Sequence, residues 1–134
     1  MKPPQQAAVI PFRRRAHAAE LCLIVKKASG KWGVPKGFID PGHTGQEAAL
    51  NEAWEEAGLT GRIVGDPLGT YEYHKWGSTL TVVVFAMEVL AEEDTWQEMK
   101  VRERHWVSRR KAVTLLTEHP VLPLVERFAV ARSD

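Results

Sequence analysis

Two apolar runs open the chain. Residues 6 to 14 and 20 to 27 are rich in Val, Ile, Leu and Phe and are separated by small or polar residues, which predicts two strands. Ser29-Gly30 turns the chain, and Trp32 to Pro35 predicts a short extended piece, because the residue before a proline is pushed toward the β region. Pro41-Gly42 marks a second turn, after which Thr44 and Glu47 form the capping-box pattern that begins a helix. Gly58 stands where that helix needs a left-handed residue to stop. Ala49, Leu50, Ala53 and Ala57 share one flank, the side expected to pack on a sheet.

Beyond the helix, residues 68 to 74 and 79 to 89 read as strands paired around Lys75-Trp76-Gly77-Ser78. At this hairpin Trp76 and Tyr73 have two readings, stacking on a base or packing the hairpin itself. The stretch from Thr81 to Met87 is apolar almost throughout, as expected of a central strand covered on both faces. Val101 to Ser108 alternates Val101, Glu103, His105 and Val107 against Arg102, Arg104 and Trp106, predicting another strand whose facing the pattern leaves open. Residues 109 to 117 and 121 to 131 look helical, with Pro120 near the second start. The order of strands, helix, strands, helix predicts the α/β class, with a mixed sheet between helices.

At 134 residues and 44% hydrophobic, the chain suits one globular domain spanning residues 1–134. Its formal net charge of +1 supplies no global field to recruit nucleic acid or an anionic membrane, so any anion binding must be local. Arg13, Arg14 and Arg15 accordingly read as an exposed strand end rather than a nucleic-acid patch. Cys22, the single cysteine, lies in the apolar run LCLIV, which implies a buried thiol and a reducing compartment. No apolar stretch approaches the ~18 residues of a membrane span, and Met1-Lys2-Pro3-Pro4 lacks the apolar core of a signal peptide, so the expected location is cytoplasmic.

Glu52, Glu55 and Glu56 change the picture most. At i, i+3 and i+4 they fall on one helix face, where like charges repel unless solvent or a cation separates them. A solvated surface helix explains such a pattern by itself; a site for a hard divalent cation explains it together with the Gly/Pro-rich loop that precedes it.

The segment from Gly37 to Leu59, GFIDPGHTGQEAALNEAWEEAGL, resembles the Nudix box, which opens on a glycine and closes on Arg-Glu, an aliphatic, any residue, Glu-Glu, any residue, Gly and an aliphatic. Gly37, Glu52, Glu55, Glu56, Gly58 and Leu59 match at the family's spacing. His43 stands where the family has its first Glu, Asn51 stands where it has Arg, and Ala53 is a small substitute for the aliphatic. Trp32-Gly33-Val34-Pro35-Lys36-Gly37, and later Trp96-Gln97-Glu98 with Arg102, Arg104 and Trp106, resemble the subgroup that hydrolyses diphosphoinositol polyphosphates and diadenosine polyphosphates.

That resemblance implies a Nudix-type α/β/α sandwich over the whole chain. It also implies hydrolysis of a phosphoanhydride in a nucleoside diphosphate-linked or related polyphosphate, with Mg²⁺ or Mn²⁺ as cofactor. By resemblance, Glu52 and Glu56 are principal metal ligands, Glu55 is a further ligand or water-positioning base, and the carbonyl of Lys36 completes the shell. Glu98 is a candidate ligand or base from a loop. Lys26, Lys27 and Lys36 are candidates to steer phosphates, or else serve solubility; Arg102 and Arg104 clamp phosphate or form ion pairs. The expected partner is a small polyphosphate or nucleotide, not nucleic acid or membrane, and the protein is expected to be a monomer or homodimer.

The two departures have physical consequences. Asn51 supplies Glu55 with a neutral donor in place of a charged one, at i, i+4. His43 removes a negative charge and adds a group that titrates near neutral pH, which tilts selectivity toward Mn²⁺ or a softer cation if it is a ligand. Otherwise it is a donor behind a ligand, a base or a plain loop residue. The enzyme reading therefore has a rival, a Nudix-fold nucleotide-binding or regulatory module that hydrolyses little.

Overall fold

The computed structural model describes residues 3–16 and 18–131; Met1 and Lys2, whose polarity argued against a leader, lie outside them. The chain runs β1 (Gln6–Arg15), β2 (Ala18–Lys26), β3 (Trp32–Gly33), β4 (Lys36–Phe38), α1 (Gly45–Ala57), β5 (Leu59–Lys75), β6 (Ser78–Glu92), β7 (Arg102–Ser108), α2 (Arg109–Leu115) and α3 (Leu122–Ala131). The seven strands form one mixed sheet in the order β3-β2-β1-β6-β5, with β4 on β1 and β7 on β2. β1 and β6 pair in parallel, while the other pairings are antiparallel.

Alternation along the central strands splits the core in two. Ala8, Ile10 and Phe12 of β1 join Val82, Val84 and Ala86 of β6 on one face, under Ala112 and Leu116 at α2 and Leu124, Val125 and Phe128 of α3. Ala7 and Val9 join Val83, Phe85 and Met87 on the other, under Ala48, Ala49, Ala53 and Ala57 of α1. Successive strand residues point to opposite faces, so only a sheet covered on both sides buries both sets. The result is the expected α/β/α sandwich. Cys22 is fully buried in the second cluster.

Two elements depart from the sequence expectation. The strand expected at 68 to 74 begins at Leu59, and its pairing with β6 shifts register between Val64 and Gly69, so Gly65, Asp66 and Pro67 are absorbed as an irregularity within the strand. Val101 is exposed and precedes the last strand, which starts at Arg102; Arg102, Arg104 and Trp106 are half-buried on one face.

The sheet opens where the chemistry-bearing residues gather. β1 pairs with β4 through Gln6, Ala7 and Ala8, but with β2 through Phe12 to Arg15. β2 in turn leaves β1 and pairs with β3 through Ile24 and Val25. The β1–β4 and β2–β3 arms therefore diverge, and a cleft opens between them.

Candidate functional site

α1 delivers the carboxylates. Its start is fixed by the expected capping box: Thr44 Oγ1 accepts from the Glu47 amide at 3.1 Å, and Glu47 Oε1 accepts from the Thr44 amide at 2.8 Å. Its end is Gly58, at φ 66, where a β-carbon would also stand 2.8 Å from Trp96 Cβ. With both ends set, Ala49, Ala53 and Ala57 face the sheet and Glu52 and Glu56 face β4 and the cleft.

Glu56 is 6% exposed, and its carboxyl lies beside that of Glu52. Burial pushes Glu56 up to about 8; Glu52 and Glu98 add to the shift, while Arg102 opposes it. Glu52 is raised too, first by burial and then by Glu55, Glu98 and Asp40. A buried carboxyl beside a half-buried one favours keeping a proton between them unless a cation takes its place. Gly37 of β4 makes the arrangement possible, because a β-carbon there would overlap the Glu52 carboxyl and stand 2.8 Å from its Cγ. Glu55 lies one turn before the helix end and its Oε1 accepts from Asn51 Nδ2 at 3.2 Å.

The free carbonyls at the end of α1 anchor the loop between β6 and β7. The Glu98 amide donates to the Glu55 carbonyl at 3.1 Å, and the Glu93 amide to the Gly58 carbonyl at 2.9 Å. This brings Glu98 beside the cluster, where its Oε1 accepts from Arg102 Nε at 2.7 Å. Arg104 is engaged elsewhere. It donates to the Ala57 carbonyl at 2.8 Å, pairs with Glu92 at 3.4 Å and lies 4.3 Å from the centroid of the Trp96 ring. The two arginines thus share a strand face, but Arg102 faces the cleft and Arg104 closes the helix.

The cleft holds a cavity of about 580 Å³ bordered by Lys26, Lys31, Lys36, Lys75 and Arg102, with Glu56 as its bordering carboxylate among the described residues. Burial, followed by Arg102, Lys36, Lys75 and Lys31, lowers the Lys26 ammonium below its ordinary value, as expected of crowded cations. Lys36 Nζ lies 3.4 Å from Tyr73 Oη and 4.8 Å from the Tyr73 ring centroid, and Tyr73 Oη donates to Gln6 Oε1 at 2.7 Å. Tyr73 is thereby packed into the wall. Tyr71 is buried beside it, and its hydroxyl has no hydrogen-bond partner among the described residues. His119 forms the far wall; burial and then Lys36 lower it to about 4, so it is neutral.

Of the residues singled out from sequence, Glu52, Glu55, Glu56 and Glu98 come together at the end of α1, and Lys26, Lys36 and Arg102 border the cavity beside them. Lys27 and Arg104 do not border it. His43 is exposed in the turn before α1, its amide donating to the Asp40 carbonyl at 3.0 Å. Sequence reasoning missed Lys31, Lys75, Tyr71 and His119 as cavity residues. Lys31 and Lys75 end or precede strands as Lys26 does and carried the same signal, whereas His119 lies between two helices and carried none. The carboxylates of Glu52, Glu55, Glu56 and Glu98 gather at the end of α1, with Glu98 already paired to Arg102. Among the described residues, no three of His, Cys, Asp and Glu are already grouped to enclose an ion.

A NUDIX domain model matches residues 2–128. The chain belongs to the Nudix family. This Nudix chain is 34% identical over 104 residues to the Arabidopsis thaliana protein "Nudix hydrolase 13, mitochondrial", covering 70% of the chain and 52% of that relative. It is 28% identical to the Mus musculus diphosphoinositol polyphosphate phosphohydrolase 3-alpha, covering 86% of the chain and 70% of that protein. Its fold is that of a Caenorhabditis elegans Ap4A hydrolase in a binary complex, with a TM-score of 0.80 at 23% identity over 93% of this chain and 94% of the other. The chain thus spans about half the length of the plant relative. The relatives it matches include one named as mitochondrial and another, also from Arabidopsis thaliana, named as chloroplastic, and no helix among the described residues is long and apolar enough to cross a membrane.

Proposed function

We propose that this Nudix chain is a divalent-metal-dependent hydrolase that cleaves a phosphoanhydride in a polyphosphate, of the kind named for its diphosphoinositol polyphosphate and Ap4A relatives. The observation that carries this reading is the juxtaposition, in one cleft, of the Glu52–Glu56 carboxyl pair with the cationic rim of Lys26, Lys31, Lys36, Lys75 and Arg102.

The donor set fits Mg²⁺ or Mn²⁺, which take oxygen ligands and keep several waters, so a complete protein cage is unnecessary. Glu52 and Glu56 would be its principal ligands, with Glu55 and the Lys36 carbonyl beside them. A cation held there would supply charge to offset the phosphate oxygens and would lower the pKa of a water.

The chain's own residues supply the rest. The lysines and Arg102 hold the polyphosphate against the carboxylates and offset its charge, which otherwise repels an incoming hydroxide. Glu55, which accepts from Asn51, would position the attacking water, and Glu98, paired with Arg102, is the second candidate base. The Asn51–Glu55 hydrogen bond keeps a donor on Glu55, although it is a neutral one, and with Glu52 and Glu56 intact this supports an enzyme over a module that only binds.

The reading is tested by incubating the purified protein with Mg²⁺ or Mn²⁺ and a panel of diadenosine polyphosphates, ADP-ribose, nucleoside triphosphates and diphosphoinositol polyphosphates. Metal-dependent turnover of at least one is expected. Tight binding of a panel member with no turnover of any would establish the binding module instead.

A further inference from the structure

Trp76 occupies a position that its backbone disfavours. Lys75 and Ser78 pair across the end of the β5–β6 hairpin, leaving Trp76-Gly77 as a two-residue turn with φ of 54 and 71. Two positive φ values suit the twist of a hairpin, but the first position then favours Asn, Asp or Gly, and a bulky side chain there is strained. Nor does packing compensate, for Trp76 is 75% exposed. The hairpin-packing alternative raised by the sequence therefore holds for Tyr73 and fails for Trp76.

The indole is nevertheless placed. Lys75 Nζ lies 4.4 Å from its ring centroid, and Lys75 also borders the polyphosphate cavity. The ring thus lies against a lysine that borders the cationic pocket, outside the pocket's own lining and with most of its surface open. Strain retained at an exposed aromatic beside a binding cleft points to a ligand rather than to folding.

We infer that Trp76 is a stacking platform for the nucleobase of a substrate whose phosphates lie on Lys26, Lys31, Lys36 and Lys75. The inference rests on the polyphosphate-hydrolase reading and deepens it by naming the substrate class. A nucleotide carries a flat π-face a short, fixed distance from its phosphates, matching an indole next to a cation cluster. Inorganic and inositol polyphosphates carry no such face. On binding, the base takes the indole surface that Lys75 now covers, and Lys75 turns its ammonium to the phosphates.

The test compares the wild type with Trp76→Asn, which suits the left-handed turn, and Trp76→Phe, which keeps a stacking face. KM is measured with Mg²⁺ for diadenosine tetraphosphate and for base-free tripolyphosphate, and the dissociation constant of diadenosine tetraphosphate is measured by calorimetry in EDTA. Trp76→Asn is expected to raise the melting temperature by about 2 to 6 °C while weakening diadenosine tetraphosphate about tenfold in both KM and dissociation constant. Tripolyphosphate should not distinguish it from the wild type, and Trp76→Phe should restore dinucleotide binding. Equal KM values for diadenosine tetraphosphate in Trp76→Asn and wild type would overturn the platform, as would equal weakening of both substrates. Should the wild type cleave tripolyphosphate yet not bind the dinucleotide, the platform falls and the hydrolase stands; if it neither binds nor cleaves any polyphosphate, both fall.

Discussion

Gly37 lies so close beneath Glu52 that a β-carbon at position 37 would overlap its carboxyl group. The box's first residue is thus not a turn glycine but a clearance for a carboxylate carried by the helix that follows. Gly37→Ala should leave the fold intact, because Gly37 borders the cleft, yet displace Glu52. The expected outcome is a loss of about ten- to a hundredfold in kcat/KM, or about 1.4 to 2.7 kcal/mol of transition-state stabilisation, with weaker metal binding by calorimetry. Full activity in Gly37→Ala would show that Glu52 is not needed where it stands.

Arg102 and Arg104 separate cleanly by experiment. Arg102 lies between Glu98, Glu56 and the cavity, so Arg102→Ala should raise KM for a polyphosphate with little change in melting temperature. Arg104 closes the end of α1 on the Ala57 carbonyl, and Arg104→Ala should cost about 1.5 to 3 kcal/mol of stability, the range for hydrogen bonds to charged groups. Thermal melts and steady-state kinetics on the two variants check this division, and the reverse pattern would refute it.

Their shared strand face explains why the sequence treated them alike. Period-two alternation places Arg102 and Arg104 on one side of β7, but the end of α1 and the β6–β7 loop docked on it decide what each meets. Local signals read well elsewhere: the Thr44–Glu47 box, Gly58 and the unbroken 81–87 run all specified elements that formed where expected, because caps and strand periodicity are local properties. β5 was read short, since Gly65, Asp66 and Pro67 forbid a regular strand and only the register shift against β6 accommodates them. The carboxylates were legible from helical spacing. The cavity's other wall was not, since Tyr71, Lys75 and His119 are brought to it by divergence of the sheet arms and by the α2–α3 connection.

Asn51 supplies Glu55 with a neutral hydrogen bond at 3.2 Å. Replacing it with Arg should strengthen that bond by about 1 kcal/mol, raising kcat roughly five- to tenfold at unchanged KM. If kcat falls instead, the pocket has been rebuilt around the asparagine.

Glu56 gives the metal-free protein a definite pH dependence. Its folded value of about 8 lies above the ordinary 4.5, so the folded state binds more protons than the unfolded state between the two. The stability contributed by this group is complete below about pH 4.5, declines as pH rises, and is gone above about 8. Melts in EDTA over that window should therefore show the wild type losing stability relative to Glu56→Gln, which cannot titrate. Added Mg²⁺ should reverse the trend by favouring the ionised pair. Parallel curves for the two proteins in EDTA would place the Glu56 carboxyl in an environment unlike the buried one described.

The most direct measurement is the initial rate of diadenosine tetraphosphate hydrolysis against Mg²⁺ concentration, for the wild type and Glu56→Gln side by side. The carboxylate site on α1 requires a saturable Mg²⁺-dependent rate in the wild type and a loss of roughly a hundredfold or more in the folded variant, about 2.7 kcal/mol in the barrier. A Glu56→Gln protein with the wild-type rate and metal dependence would contradict it.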